Sequence, residues 1–288
     1  MRLPVLLVAA CALLASVQQP APHAENDDVS QLVALASAWT ARFEQGLSGL
    51  LFREKYLQKT DGASPLTQGT ISRLSGRREL LTEANVFLLR ADRTREFVLF
   101  RDVYSTNGRD VADHTARLER LLTDGSARSL EHARTLTNAS ARHNIGTVNR
   151  NINIPTMALR YLEASRIGGV QFRRAGDATV NGLATTIVEF EEIGIPTLVR
   201  GLDDSDVPAR GRYWIHTASG AIVRAHVDCA GRDVTGRLEI DLMRHDKLAV
   251  WVPKEMTEVW RARGQRTTGL AHYDRYQRVS VSTGEVIK

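Results

Sequence analysis

The sequence predicts an α+β fold: one long, curled antiparallel β-sheet, a half-barrel, with an N-terminal helix and mid-chain helices packed on its concave face. Three observations predict it. Val29, Leu32, Val33, Ala36, Trp39, Phe43 and Leu47 recur at helical spacing and form one broad apolar stripe. Strand-like segments then recur about every ten residues with Gly, Asp and Pro between them, the spacing of an antiparallel sheet. In two of those strands both faces are apolar: Phe87 and Leu89 alternate with Val86 and Leu88, and Phe97 and Leu99 with Val98 and Phe100. A one-sided sheet alternates apolar with polar, so these strands are covered on both sides.

The chain opens with Met1 and Arg2, an apolar run over 3–17 broken by Pro4 and Ser16, and a polar exit through His23. That is the build of a secretory signal peptide, assigned to residues 1–17 with cleavage between about residues 16 and 25. The run is too short for a bilayer span of about 20 residues. The protein is therefore expected outside the cytoplasm, in a bacterial periplasm. Cys11 offers an alternative, because Val8-Ala9-Ala10-Cys11 fits the pattern at which bacterial lipoproteins are cut and acylated. The apolar run continues past it to Ala15, whereas a lipidated Cys normally stands where that run ends. Lipidation at Cys11 would anchor the chain to the envelope, and membrane contact is expected by that route alone.

Once the signal is removed, Cys229 is the one remaining thiol, so an internal disulfide is excluded and stability must come from a core. A tether over 18–27 and a single domain over 28–288, with a helical insertion at about 113–165, account for the length. The 38 Lys and Arg against 33 Asp and Glu give a net charge of +5, but the two signs are interleaved throughout. Dispersed, compensated charge on an exported protein argues against nucleic acid as a partner.

Asp28 caps the first helix, with Gln31 three residues on. Strands follow over 51–58, 69–74 and 77–90, and a hairpin joins 95–105 to 109–112 across Thr106-Asn107-Gly108. Helices are expected over 113–125, carrying Leu118, Leu121 and Leu122, over 129–143, and from Pro155 with Met157, Ala158, Tyr161 and Leu162 on one face. Between the last two, 144–153 is rich in Asn and has neither period. The remainder is a meander: 170–174, 179–192, the hairpin 212–216 with 221–229, then 237–243, 248–251, 254–262 and 269–281.

This order of elements, with Gly211-Arg212-Tyr213-Trp214-Ile215-His216-Thr217-Ala218-Ser219-Gly220-Ala221-Ile222-Val223-Arg224, resembles the periplasmic lipoprotein-carrier superfamily. Val252-Pro253-Lys254-Glu255-Met256 and Ala271-His272-Tyr273-Asp274-Arg275-Tyr276 are similar to that group's later strands. The group includes outer-membrane lipoprotein-sorting chaperones and regulators that restrain envelope-stress signalling. The resemblance implies a carrier or regulatory role without catalysis.

Local groupings for chemistry are sparse. In His226-Val227-Asp228-Cys229, strand alternation turns His226 and Asp228 away from Cys229, which shares an apolar row with Val223, Ala225 and Val227. Glu189, Glu191 and Glu192 form the densest acidic cluster, and read as the polar edge of a strand. No His or Cys spacing suits a metal, and no phosphate loop or nucleophile elbow occurs, so neither a catalytic residue nor a cofactor is assigned.

The aromatic surplus remains. Helices that only partly fill the concave face would leave an apolar cavity. Trp39, Phe43, Leu118, Leu122 and Tyr161 are expected to line it from the helices, and Phe87, Leu89, Phe100 and Trp214 from the sheet, where Trp251 and Trp260 also lie. The function this suggests is non-enzymatic binding of a lipid or of a lipoprotein's acyl chain. The first alternative is an envelope interaction or regulatory protein that docks a protein partner through 144–153 or the helical block. The second is an unrecognised hydrolase relying on Glu189, Glu191 or His226.

Overall fold

The computed structural model describes residues 22–62, 78–90, 97–112, 114, 141–148, 150, 153–201 and 203–278. Helix α1 runs over Pro22–Leu47. It starts at a proline, whose missing N–H costs nothing in a first turn, and so begins before the expected cap at Asp28. All seven residues of its apolar stripe are buried.

Eleven strands form one antiparallel sheet: β1 Leu50–Gly62, β2 Arg78–Arg90, β3 Phe97–Thr106, β4 Arg109–Asp110, β5 Val170–Val180, β6 Leu183–Glu192, β9 Ala209–His216, β10 Ile222–Ala230, β11 Val234–His245, β12 Val250–Ala262 and β13 Gln265–Arg278. The short pair β7 Val199–Arg200 and β8 Asp206–Val207 stands apart. The order across the sheet is β4-β3-β2-β1-β13-β12-β11-β10-β9-β6-β5. The last strand thus pairs with the first, Gln58 opposite Gly269 and Tyr56 opposite Ala271. The sheet is open, with β4 at one edge and β5 at the other.

Several boundaries differ from the sequence reading, each for a local reason. The turn between β5 and β6 lies at Asn181-Gly182, with φ of 51° and 79°, not in the segment before Thr179. Gly176, at φ 132°, absorbs a register shift there, so β5 bends without ending. Likewise β12 runs unbroken through Pro253, because the opposing strand shifts register between Asp241 and Leu242 where a ladder N–H is missing. The expected helix from Pro155 is a 3-10 helix over Met157–Leu162, with five of its six residues buried. The expected strand over 69–74 lies outside the described residues, as do nearly all of the helices over 113–125 and 129–143.

Val86 and Leu88 on one face of β2, and Phe87 on the other, are all buried, so the two-sided covering read from the sequence holds. The face that meets α1 has a mixed character. Along β1 its side chains are Leu50, Phe52, Glu54, Tyr56, Gln58 and Thr60, all buried, and half of them are polar. Near α1, Ile215, Ile240, Leu242 and Val252 continue the apolar core.

Helix α1 lies directly on the β9–β10 turn. Gly220 has φ +70°, and a Cβ there would stand 2.6 Å from the carbonyl carbon and oxygen of Leu35. Only glycine satisfies both the left-handed backbone and the close approach. Gly108, at φ +74° with open space around it, shares the first demand and not the second. Gly220→Ala is expected to cost about 2–4 kcal/mol of stability against about 1 for Gly108→Ala, measured by urea unfolding. Equal losses would show that α1 does not rest on this turn.

Candidate functional site

The C-terminal half of α1 stands over the end of β11, the start of β12 and the two hairpin turns at Asn181 and Ser219. A cleft of about 870 Å³ opens between them. Its helix wall carries Trp39 and Phe43, one turn apart and stacked with ring centroids at 5.1 Å. Trp251 meets the Trp39 ring edge-on at 5.8 Å from the opposite wall. Val223, Leu242, Met243 and Val250 extend that wall. The loop returning from β11 to β12 is closed by Ala249, whose N–H donates to the His245 carbonyl at 2.8 Å.

The rim is cationic. Arg42 on α1, Arg244 at the end of β11 and Lys254 on β12 all line the cleft, and no lining residue is acidic. His216 stands at the same mouth, its Nδ1 2.8 Å from the Ser219 hydroxyl. On the neighbouring side of α1, burial and then the Glu163 charge push Glu44 up to about 7, against the opposing pull of Arg160.

A second constellation fills the polar half of the same sheet face. Arg101 makes a double contact with Glu54 at 2.5 and 2.9 Å, and donates to the Asn153 carbonyl at 3.0 Å. Arg150, with no exposed side-chain surface, pairs with Glu258 and donates to the Tyr56 hydroxyl at 2.6 Å. Tyr56 in turn donates to Glu258, and the Trp260 indole N–H reaches the other Glu258 oxygen at 2.9 Å. Burial pushes the Tyr56 phenol well up, so it stays protonated as that donor. Gln58 accepts from Arg150 at 2.5 Å and from the Ile145 N–H at 3.0 Å. Gln265 accepts from the Thr147 N–H at 2.8 Å. Gly269 makes the space, since a Cβ there would fall 2.6 Å from the Tyr56 ring and 2.7 Å from Glu258. Carboxylate and phenol are engaged and buried, so this cluster fastens Ile145, Thr147, Arg150 and Asn153 to the sheet.

The structure brings Trp39 and Phe43 together in the cleft. The other described candidates lie elsewhere. Phe87 and Phe100 pair at 5.1 Å on the opposite face of the β2–β3 ladder from Leu88 and Leu99. Tyr161 is packed 4.9 Å from Phe190, which stacks on Tyr213, in the solid core. Trp214 is on the outer face, under the Arg224 guanidinium at 5.9 Å. Leu118, Leu122, Cys11 and the Leu89 side chain lie outside the described residues. Trp251 is the sheet aromatic that reaches the cleft, while Arg42, Arg244 and Lys254 had no signal in the sequence beyond lying near Phe43, Met243 and Trp251.

Burial pushes the Cys229 thiol up to about 12, which removes its thiolate. Asp228 accepts from Arg237 at 2.7 and 3.1 Å, with His226 3.3 Å away. Glu189 pairs with Arg212 at 2.7 Å and with Arg173. Glu192 is buried rather than on a polar edge, because it accepts the Leu198 and Ala209 N–H groups at 2.7 and 3.2 Å and so pins the β6–β9 connection. Among the described residues, no group of three His, Cys, Asp or Glu side chains could hold a metal ion, and no helix is long and apolar enough to cross a membrane.

No protein-family model and no curated protein matches the sequence. Solved structures do. One is an outer-membrane lipoprotein-sorting protein domain from Vibrio parahaemolyticus, with a TM-score of 0.39 and 11% identity, covering 88% of this chain and 94% of that one. A DUF1329 family protein from Desulfovibrio piger has a TM-score of 0.35 and 12% identity, over 88% of this chain and 95% of that one. The lipoprotein LppX from Mycobacterium tuberculosis has a TM-score of 0.25 and 11% identity, over 86% and 98%. What the cleft can bind follows from its own lining.

Glu44, on the neighbouring side of α1, links stability to pH. Its neutral form is favoured in the fold, so its contribution is complete below the ordinary carboxylate value of 4.5 and is lost as pH rises through about 7. The chain is expected to lose stability from about pH 5 to about pH 8, and Glu44→Gln to flatten that loss in urea midpoints taken across the range. An unchanged slope in the variant would show that Glu44 does not titrate there.

Proposed function

We propose that the chain is an exported, non-enzymatic binding protein that shelters a hydrophobic ligand, the acyl chain of a lipid or of a lipoprotein, between α1 and the sheet. One observation carries this: an 870 Å³ cleft walled by Trp39, Phe43, Val250 and Trp251 lies open beside the packed core. Its size is within the range of small-molecule pockets, roughly 300–1,000 Å³. About ten methylenes buried there would supply roughly 8 kcal/mol before the cost of association is subtracted. Export by the leader at 1–17 fits that role, with Cys11 as the alternative anchor.

The other two readings have less to stand on. The segment 144–153, the docking face of an interaction protein, keeps Arg150 and Asn153 buried against the sheet. Of the residues a hydrolase would use, Glu189 is held by Arg212 and Arg173, and His226 stands beside Asp228.

Trp39 and Trp251 report on the cleft directly. Titration with a fatty acid is expected to shift the tryptophan emission to shorter wavelength, and Trp251→Ala to weaken binding about tenfold, the loss of roughly 1.4 kcal/mol of contact. Trp214→Phe, on the outer face, is expected to leave affinity unchanged. Failure of the fatty acid to bind, or equal effects of the two substitutions, would remove this reading.

A further inference from the structure

We infer that the ligand is an anionic amphiphile, a lipid whose phosphate or carboxylate headgroup lies among Arg42, Arg244 and Lys254 while its acyl chain covers Trp39, Phe43 and Trp251. The inference rests on the acyl-cleft reading and adds the charge of the headgroup. Helix α1 and the β11–β12 hairpin, far apart in sequence, deliver three cations to the same opening, and no lining residue is a carboxylate.

Many of the molecule's other basic groups are held in ion pairs. Arg53, Arg101, Arg150, Arg212, Arg224 and Arg237 each meet an acidic partner within 4 Å. Among the described residues, Arg42, Arg244 and Lys254 have no such ion pair. The cross-strand register sets Arg244 opposite Trp251, so a cation and the apolar wall are neighbours on one ladder. Long basic side chains lay their methylene stems along an apolar surface and keep the charged end at its mouth. Cations beside a low-dielectric wall also focus the field there.

The two halves of the cleft therefore ask for two chemistries in one molecule. An uncharged lipid would use the wall and leave three like charges facing one another. A free anion would meet the charges and leave the aromatic wall wet.

Lauroyl lysophosphatidic acid, monolauroylglycerol and glycerol phosphate separate these cases, since the first carries the chain and the phosphate and each of the others carries one. Binding of each to the full processed chain, followed by calorimetry, is compared with the Arg42→Gln, Arg244→Gln, Lys254→Gln triple variant. The three residues are exposed, and unchanged affinity of the variant for monolauroylglycerol verifies that its cleft is intact. We expect the lysophosphatidic acid to bind about tenfold tighter than monolauroylglycerol, from three exposed charge contacts, and to lose that margin in the triple variant and at high salt. Equal affinity for the two lipids would overturn the headgroup inference and leave the acyl cleft standing. Glycerol phosphate binding as tightly as the lysophosphatidic acid would overturn it in favour of a plain anion site. If neither lipid binds, the cleft reading falls as well.

Discussion

The pairing of Arg150 with Glu258 takes two charges wholly out of water, at a desolvation cost that their mutual attraction offsets only with good geometry and further hydrogen bonds. Everything around the pair answers that demand. Glu258 takes donors from Tyr56 and Trp260 as well, and Arg150 spends its second nitrogen on Gln58 and the Ile145 carbonyl. To meet these partners, β1, β12 and β13 must lie side by side in a single register, with Gly269 leaving room between them. The pair therefore ties the first strand to the last two and clamps 144–153 onto the sheet. Such a buried network sets which groups meet more firmly than it adds net stability.

Its second consequence is a division of labour on one sheet face. The polar half, from Arg101 to Gln265, is taken by residues of 144–153. The apolar half, around Ile215, Ile240 and Val252, is left to α1 and the 3-10 helix Met157–Leu162. Gly220 lets α1 approach the β9–β10 turn, and beyond that point its aromatic stripe faces the wall at Trp251 across open volume. The cleft is thus what remains when a single helix must cover the ends of several strands. Its cationic rim arises because Arg42, Arg244 and Lys254 sit where the elements part and solvent enters.

Features written in short-range periodicity were legible from the sequence. The α1 stripe is one, since each of its seven residues is buried, and the Asn107-Gly108 turn is another. So was the inward turn of Cys229. The β5–β6 turn was misplaced because Gly176 and Asn181-Gly182 give similar local signals, and one marks a bulge while the other marks the hairpin. The polar network was hidden for a different reason. Glu54 and Gln58 stand at alternate positions of one strand with nothing local to mark them as buried, and their partners Arg101 and Arg150 lie far along the chain. Of the ligand-site candidates, Trp39 and Phe43 were within reach because helical spacing puts them on one face. Phe87, Phe100 and Trp214 were not separable from them, since apolar character tells nothing of which side of the sheet a strand residue takes. Nor could the sequence say that Arg244 and Lys254 share an opening with Arg42, which depends on where α1 lies on the sheet.

The claim that a ligand occupies the space between α1 and β12 is tested most directly by a photoreactive fatty acid cross-linked to the protein and mapped by mass spectrometry. The account predicts labels confined to 39–46 of α1 and 250–254 of β12, displaced by excess unlabelled fatty acid. Labels on the outer face around Trp214, or on Phe87 and Phe100, would contradict it.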